Sequence, residues 1–294
     1  MATKKGPVWF ITAASSGFGR EMAAYALQQG HTVIATARKT ERIKDLADAG
    51  AHLVAFDVTS PLESIEGTAK TVFDKFGRVD YLVNAAGFIL EGAVEEVAPK
   101  EVYDCFNTNV FGTMNTIRAF LPFMRAQPLA DDGFRGTVVT FGSAGSWIGG
   151  ADYSVYAMTK ACVSSLAESL QSELSPFKIR ATVVEPGYFR TSFLNPGVVV
   201  HGQKRIPAYE DESTPSGQTR KALAVTDGKQ AGDVKKGCKV IVDMLTGTGP
   251  AAGKTLPVRI VLGKDCEKVI RDKFSSTVAI LDEWKDLLRS TDHD

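Results

Sequence analysis

The chain has 294 residues, of which 44% are apolar, and its 34 Lys and Arg balance its 34 Asp and Glu. This length fits one large α/β domain or two small ones, with enough apolar residues for a sizeable core. The balanced charge argues against a nucleic-acid or membrane-surface partner, because such proteins usually carry a basic excess.

The cysteines and the first residues bear on the cellular compartment. Cys105, Cys162, Cys238 and Cys266 lie far apart without a Cys-x-x-Cys pair or a nearby His, which favours reduced thiols over a zinc site. The opening MATKKGPVWF lacks a long apolar core, and no stretch approaches the length of a membrane span. We therefore expect a cytoplasmic protein with no metal and no membrane span.

Short apolar runs alternate with helix-length segments up to about residue 190. The runs, rich in Val, Ile and Thr, are PVWFIT, HTVIAT, HLVAFDV, VDYLVN, GTVVTF and IRATVVEP. Strands that are apolar throughout and joined by helix-length crossovers indicate a parallel sheet covered on both faces. Right-handed crossovers then predict a doubly wound sheet of the Rossmann type.

The pattern changes after Pro186. Up to about Asp233 the chain is rich in turn formers and charges and shows no clear period, so this stretch is either a functional lid or disordered. A helix from about Asp233, a strand in LPVRIVLG and an amphipathic helix through DEWKDLLRS follow. We predict a single α/β domain with about seven strands and helices on both faces. Its parts are a dinucleotide-binding core at 7–185, a lid at 186–233 and a C-terminal helix-strand-helix unit at 234–294.

The stretch ITAASSGFGRE follows the first predicted strand and opens the first helix. Unpaired N–H groups at such a helix start carry partial positive charge, so a pyrophosphate can rest there. Gly17 and Gly19 permit close approach of the backbone. Ala13 stands where glycine is expected. We predict a negative φ for Ala13, because a positive φ would cost an alanine roughly 1 kcal/mol.

The second strand, TVIATARK, bears on the choice between NAD and NADP. It ends in Ala37 and Arg38, where a carboxylate that binds the ribose of NAD could have stood. An arginine there can pair with a 2′-phosphate in bidentate fashion, which favours NADP(H) over NAD(H), although Arg38 could also be a solvated surface residue. Asp57, after the third strand, is placed to accept a hydrogen bond from the adenine amino group. It could equally cap the helix that begins after Ser60.

Tyr156 and Lys160 form a Tyr-x-x-x-Lys pair on a predicted helix. Residues four apart lie on one helix face, so the two side chains can meet. An adjacent ammonium would stabilise the phenolate and lower the pKa of Tyr156 from about 10, so that it could exchange a proton with a substrate oxygen. Tyr153 has Ala157 at the matching position and cannot play this part.

Taken together, these motifs resemble the classical short-chain dehydrogenase/reductase family over residues 7 to about 195. The matching stretches are TAASSGFG, DVT at 57–59, NAAG at 84–87, NTNVFG at 107–112, GSAG at 142–145, YAMTK at 156–160 and EPGYFRT at 185–191. The sequences of these stretches are most similar to those of the branch with hydroxysteroid and retinol dehydrogenase-like enzymes.

The resemblance implies a catalytic tetrad of Asn109, Ser143, Tyr156 and Lys160. Ser143 would hydrogen-bond the substrate oxygen and the Tyr156 hydroxyl. Asn109 would hold a water that links Lys160 to solvent, and Lys160 would also bind the nicotinamide ribose.

The cofactor site predicted from the turn, the second strand and the resemblance is larger. It comprises Ser15, Ser16, Gly17, Phe18, Gly19, Arg38, Asp57, Val58, Asn84, Ala85, Gly87, Tyr156, Lys160, Pro186, Gly187 and Thr191. Ala13 and Ala85 stand where the family usually has Gly and Asn. Both lie in the cofactor site, so they put the affinity for the cofactor in doubt more than the catalytic reaction.

The predicted substrate pocket contains Trp147, Ile148, Tyr153, Phe189 and Phe193, although any one of them could instead belong to the core. Such walls suit a bulky hydrophobic ketone or alcohol, for example a steroid, retinoid or polyketide.

The resulting hypothesis is an NADPH-dependent carbonyl reductase. Two alternatives are a scaffold reused for isomerisation or cyclisation and a non-catalytic NADP-binding regulator, and the complete tetrad argues against both. The resemblance also implies a homodimer or homotetramer paired through the helices with Asn109 and Tyr156, unless the C-terminal tail blocks one interface.

Overall fold

The computed structural model describes residues 6–191, 199–226 and 228–293. Its strands are β1 Val8–Ile11, β2 Thr32–Ala37, β3 His52–Ala55, β4 Tyr81–Asn84, β5 Leu90–Glu91, β6 Gly136–Phe141, β7 Ile179–Pro186, β8 Phe189–Arg190, β9 Val200–His201, β10 Gly232–Asp233 and β11 Arg259–Leu262. Its α-helices are α1 Gly17–Gln28, α2 Lys44–Asp48, α3 Leu62–Phe76, α4 Pro99–Phe106, α5 Gly112–Ala126, α6 Ser154–Leu174, α7 Pro207–Glu210, α8 Pro215–Thr226, α9 Val234–Thr246, α10 Lys264–Glu283 and α11 Lys285–Arg289.

Seven strands form one parallel sheet in the order β11-β7-β6-β4-β1-β2-β3. This confirms the predicted doubly wound α/β domain. The strand order reverses between β1 and β4, where Ile11 lies opposite Ala35 of β2 on one side and Val83 of β4 on the other. In such sheets ligands bind in the crevice outside the carboxyl ends of the strands at this reversal.

The central strands are buried on both faces, which explains their unbroken apolar sequences. Successive side chains of a strand point to opposite faces. Trp9 therefore packs in one cluster with Met22 of α1 and Ile241 of α9, while Phe10 packs in a second cluster with Phe120 of α5. The two clusters are the two layers between the sheet and its helices.

Local residues mark where the helices around the site begin and end. Gly30 takes a φ of 77° after α1, and its N–H donates to the Leu27 carbonyl at 2.9 Å. Pro176 lies in a 3-10 turn that follows the end of α6. The Asp233 side chain accepts hydrogen bonds from the N–H groups of Lys235 and Lys236, which caps α9. Each feature satisfies or removes a backbone group that a helix end leaves unpaired.

The segment after Pro186 contains more regular structure than its sequence pattern predicts. Helices α7 and α8 lie in it, and its strands form the pairs β5-β9 and β8-β10. Helix α8 buries Ser216 and Gly217 rather than a row of large apolar side chains. Because it has no apolar stripe, no helical period is visible in its sequence.

A buried ionic network attaches this segment to the rest of the domain. Glu91, Glu96 and Asp152 are 3%, 1% and 2% exposed. Arg205 donates to both Glu91 carboxylate oxygens at 3.0 and 2.8 Å. Arg220 of α8 donates to the Asp152 Oδ1 at 3.2 Å and pairs with Glu96, and its Nε lies 3.1 Å from the Glu91 Oε1. Residues 199–226 are therefore held by charges that the apolar pattern could not reveal.

The last two helices carry the predicted amphipathic pattern but leave much of their apolar face in solvent. Cys266 near the start of α10 is buried, whereas Phe274, Val278, Leu281 and Trp284 are each about half exposed. Within the described ranges, every helix is too short or too polar to span a bilayer.

Candidate active site

The turn after β1 adopts a left-handed conformation at Ala13, with φ of 53°. The prediction of a negative φ at this residue was wrong. The reason is tertiary: the Ala14 N–H donates to the Thr36 carbonyl of β2 at 2.7 Å, and the chain must reverse at Ala13 to make that bond. A Cβ on Gly19 would lie 2.7 Å from the Ala13 carbonyl oxygen, so only glycine fits where α1 crosses the turn.

Helix α1 begins directly at the cleft beyond this turn. Its N-cap residue, Ser16, makes no side-chain hydrogen bond to the first turn, and Gly17, Phe18 and Gly19 line the cleft. The first N–H groups of a helix have no partner within the helix and carry partial positive charge. This arrangement fits a pyrophosphate group.

A separate basic pocket lies beside the turn. It is lined by Ser15, Ala37, Arg38, Lys39 and Arg42, so three cations and no carboxylate surround it. Ser15 and Arg38 were predicted from the sequence, whereas Lys39 and Arg42 were not. The run ARKTER was an available signal, because three basic residues follow β2 within five positions. Guanidinium and ammonium groups in this number suit a phosphate with two negative charges.

Three other predicted cofactor residues do not line either pocket. The Asp57 Oδ1 accepts hydrogen bonds from the Thr59 N–H at 2.9 Å and the Thr59 hydroxyl at 2.7 Å. Val58 is buried against Gly112, where an added Cβ would lie 2.7 Å from the Val58 Cγ2. Asn84 is buried, and its Nδ2 donates to the Val139 carbonyl at 3.2 Å. Asp57 thus stabilises a local turn ahead of α3, and Val58 and Asn84 pack beneath the surface.

The main cleft has a volume of about 290 Å³ and lies at the carboxyl end of the sheet. The predicted residues that it brings together are Ser16, Gly17, Phe18, Gly19, Ala85, Gly87, Ser143, Ile148, Tyr153, Tyr156, Lys160, Pro186, Gly187, Phe189 and Thr191. Its wall also contains Tyr188, Leu223 and Val269, which were not among the residues predicted from the sequence. Leu223 and Val269 come from α8 and α10, and no local signal connects those helices with residues 143–160.

One predicted pocket residue, Trp147, lies elsewhere. The Trp147 indole N–H donates to the Glu185 Oε2 at 2.9 Å, and the Arg259 guanidinium lies 4.4 Å from the centre of the indole ring. Trp147 is not part of the cleft lining because this buried carboxylate and this cation hold its ring. Phe193 lies outside the described residues.

Asn109 and Lys160 both lie next to Gly87, which lines the cleft. Asn109 lies in a π-helical turn, Asn107–Phe111, between α4 and α5. Its Oδ1 accepts from the Phe88 N–H at 3.0 Å, and its Nδ2 donates to the Phe88 carbonyl and the Thr159 hydroxyl, both at 3.0 Å. A Cβ on Gly87 would lie 3.2 Å from the Asn109 Oδ1 and 3.4 Å from the Lys160 Nζ. The absence of a side chain at Gly87 leaves the ammonium open to the cleft.

The Lys160 ammonium donates to the Phe141 carbonyl at 2.7 Å and lies 5.6 Å from the centre of the Tyr156 ring. Burial lowers the pKa of Lys160 to about 8. Burial also raises the pKa of Tyr156 above its usual value of 10, and a side-chain hydrogen bond with Ser143 only partly opposes this. The prediction that the neighbouring ammonium lowers the pKa of Tyr156 was therefore wrong for this structure, because desolvation disfavours both charged forms.

Comparison with known proteins agrees with this geometry. A family profile described as "short chain dehydrogenase" matches residues 7–197. An oxidoreductase of Botryotinia fuckeliana, BOA17, is 28% identical over 95% of this chain and 97% of its own length. A 3-ketodihydrosphingosine reductase of Bacteroides thetaiotaomicron is 35% identical over 62% of this chain and 64% of its own.

A solved structure extends the likeness to nearly the whole chain. The crystal structure of a short-chain dehydrogenase from Streptomyces avermitilis superposes with a TM-score of 0.85 at 36% identity, covering 99% of this chain and all of that one. The matched profile spans well over half of the sequence and includes the turn, Ser143, Tyr156 and Lys160. The chain belongs to the short-chain dehydrogenase family and is an oxidoreductase with a Rossmann-type fold.

Proposed function

We propose that this protein is an NADP(H)-dependent carbonyl reductase that interconverts a ketone or aldehyde and an alcohol on a bulky hydrophobic substrate. The observation that carries the proposal is one continuous cleft that contains Ser143, Tyr156 and Lys160 and also the start of α1. The relative from Bacteroides thetaiotaomicron is named for the reduction of a ketone.

The residues present fit a dinucleotide. The open first turn of α1 would hold the pyrophosphate, Lys160 the nicotinamide ribose, and Pro186, Gly187 and Thr191 the nicotinamide end. A bound reduced nicotinamide supplies a hydride to the carbonyl carbon. Solved relatives contain either coenzyme, NADP+ in a serine dehydrogenase and NAD in a Burkholderia phymatum protein. The basic pocket of Arg38, Lys39 and Arg42 therefore supports NADP over NAD for this chain.

The state of Tyr156 suits reduction. Because its pKa is raised, the phenol keeps its proton at neutral pH and can donate it to the substrate oxygen. Ser143 would hydrogen-bond that same oxygen. Lys160, with a pKa of about 8, can return a proton to Tyr156, and the second lone pair of the Asn109 Oδ1 can hold the relay water.

The walls of the cleft favour an apolar substrate. Ile89, Ile148, Phe189, Leu223 and Val269 line it, and the hydroxyls of two further lining residues, Tyr153 and Tyr188, offer polar anchors. A pocket with many apolar groups and few polar ones binds large neutral molecules. We propose that the substrate resembles those of the hydroxysteroid and retinol dehydrogenase-like branch.

We further propose a cytoplasmic homodimer or homotetramer. Three large apolar side chains are exposed near this predicted interface: Phe111 directly before α5 (42%), Met114 in α5 (36%) and Met158 in α6 (54%). These residues lie on the helices that contain Asn109 and Tyr156, and exposed apolar patches of this kind mark interfaces.

The test is turnover with NADPH and a panel of lipophilic ketones, followed by the absorbance of the reduced nicotinamide. Tyr156→Phe is expected to abolish turnover and keep NADPH binding, while Tyr153→Phe, which removes a proposed substrate anchor in the same wall, should raise KM for the ketone and retain kcat. Turnover that survives Tyr156→Phe would overturn the proton-donor role. NADPH binding without turnover of any ketone or alcohol would favour a non-redox reaction or a regulator.

A further inference from the structure

The Ser146 side chain joins the backbones of two residues of the proposed tetrad. Its hydroxyl accepts from the Ser143 N–H at 3.1 Å and donates to the Lys160 carbonyl at 3.0 Å. Ser146 lies in the 3-10 turn after β6, whereas Lys160 lies in α6. A single hydroxyl thus sets the distance between the Ser143 loop and the turn of α6 that carries Tyr156 and Lys160.

This contact is the end of a longer polar chain. The Ser164 Oγ lies 2.9 Å from the Ser146 Oγ and 2.7 Å from the Glu185 Oε1. Glu185 of β7 is 0% exposed and also accepts from Trp147 and pairs with Arg259 of β11. This series of hydrogen bonds and ion pairs therefore links the proposed catalytic residues to two strands of the sheet, β7 and β11.

The side chains of this polar series are tightly packed. A Cβ added to Gly142 would lie 2.7 Å from the Ser164 Oγ, 2.8 Å from the Ser146 Oγ and 3.0 Å from the Glu185 Cγ. There is no room for a side chain at Gly142, so the two hydroxyls and the carboxylate are confined. Such a network favours one geometry when every member is paired.

We propose that Ser146, Ser164 and Glu185 are positioning residues that hold Ser143 at a fixed distance from Tyr156 and Lys160. Buried ionic and polar groups of this kind often stabilise a fold no more than apolar residues of similar size would. Because the series ends on the proposed catalytic residues, we assign it a role in positioning them. This inference rests on the proposed function, because it concerns the same reaction.

The test compares Ser146→Ala and Ser164→Ala with Thr140→Val. Thr140 provides a matched control: its hydroxyl also donates from β6 to α6, to the Val163 carbonyl at 3.3 Å, but it makes no hydrogen bond to residue 143 or 160. Misplacement by about 1 Å can cost roughly 100-fold in rate. We expect Ser146→Ala to lower kcat by about 10- to 100-fold with KM for NADPH changed by less than about 3-fold, and Thr140→Val to leave both near wild type.

The double variant separates a serial chain from independent packing effects. If Ser164 acts through Ser146, kcat of the Ser146→Ala, Ser164→Ala protein should equal that of Ser146→Ala within about 2-fold. The proposal would be overturned if the effects of the two single substitutions on kcat multiplied in the double variant, or if kcat of Ser146→Ala were no lower than that of Thr140→Val.

Hydrogen exchange at the Ser143 amide supplies a readout independent of activity. We expect faster exchange of this amide in Ser146→Ala and unchanged exchange in Thr140→Val, with similar unfolding temperatures for both. Unchanged exchange in Ser146→Ala would overturn the positioning role. Absence of turnover in the wild-type protein would count against the proposed function, and the exchange experiment would still decide this inference.

Discussion

Replacement of Arg220 by leucine should destabilise the fold strongly at neutral pH and weakly at acidic pH. The Arg220 guanidinium pairs with Glu96 and Asp152, whose side chains are 0% exposed. Leucine keeps much of the aliphatic volume but removes the charge. Glu96 and Asp152 then remain in a buried site with their main cationic partner lost.

The magnitude follows from the cost of neutralising one of these carboxylates. At pH 7, protonating a carboxyl group with an ordinary pKa near 4 costs about 4 kcal/mol. This agrees with the roughly 3–5 kcal/mol that removal of one partner of a buried ion pair typically costs. At pH 5 the same protonation costs only about 1–2 kcal/mol, so the destabilisation should shrink by about 1.4 kcal/mol for each pH unit.

The wild-type protein should itself lose stability as the pH falls into the acidic range. Burial raises the pKa of Glu91, but hydrogen bonds from Arg205 and His201 outweigh it and bring the pKa down to about 2. A carboxyl group whose pKa is depressed by folding stabilises the protein above its unfolded value, near 4.5. That contribution is lost as the pH falls from about 4.5 towards 2.

Urea denaturation of wild type and Arg220→Leu at pH 7 and pH 5 measures both magnitudes. Lys221→Met is the control, because its neighbouring ion pair with Glu212 is solvent-exposed and such pairs contribute about 0–1 kcal/mol. Leu223, one turn along α8, lines the cleft, so KM for the ketone should also rise in Arg220→Leu. A destabilisation that is independent of pH, or no larger than that of Lys221→Met, would refute this reasoning.

Four further predictions concern the turn, the buried lysine of the site, the basic pocket and the surface. Ala13→Gly should stabilise the protein by about 1 kcal/mol in urea denaturation, because glycine takes the observed positive φ without strain; no gain would contradict it. Lys160→Met should stabilise the protein by about 3 kcal/mol at pH 7 and by almost nothing above pH 10.5. The buried ammonium has a pKa of about 8, so its penalty is full below pH 8 and disappears as the pH approaches the unfolded value; an equal gain at both pH values would be inconsistent. Arg38→Asp should raise KM for NADPH by about 10- to 100-fold and leave KM for NADH nearly unchanged in steady-state assays, as expected for loss of charge-assisted bonds to a 2′-phosphate. In sedimentation equilibrium, the combined Phe111→Glu and Met158→Glu protein should have a lower mass than wild type, and an unchanged mass would place the interface elsewhere.

Features with a local physical cause could be read from the sequence. The parallel sheet followed from six apolar runs separated by helix-length segments, because the central strands are buried on both faces. The helix start near Gly17 followed from the turn of small residues after the first strand, where Gly17 and Gly19 permit close approach of the backbone. Tyr156 and Lys160 lie near each other because the helix period alone brings them to one face.

Other features depended on contacts between distant parts of the chain. The φ of Ala13 was decided by a hydrogen bond to β2, and the position of Trp147 by a carboxylate in β7. Helix α8 is attached through Arg220 to acids more than 60 residues away, so its own sequence carries no periodic signal.

The sequence by itself thus determined the succession of strands and helices along the chain up to about residue 190 and the identity of the motif residues, since both arise from spacing along the chain. Only the tertiary structure decided which basic residues share a pocket, which aromatic rings face the cleft and how far burial moves each pKa. Those properties depend on the neighbours that folding brings together from separate elements.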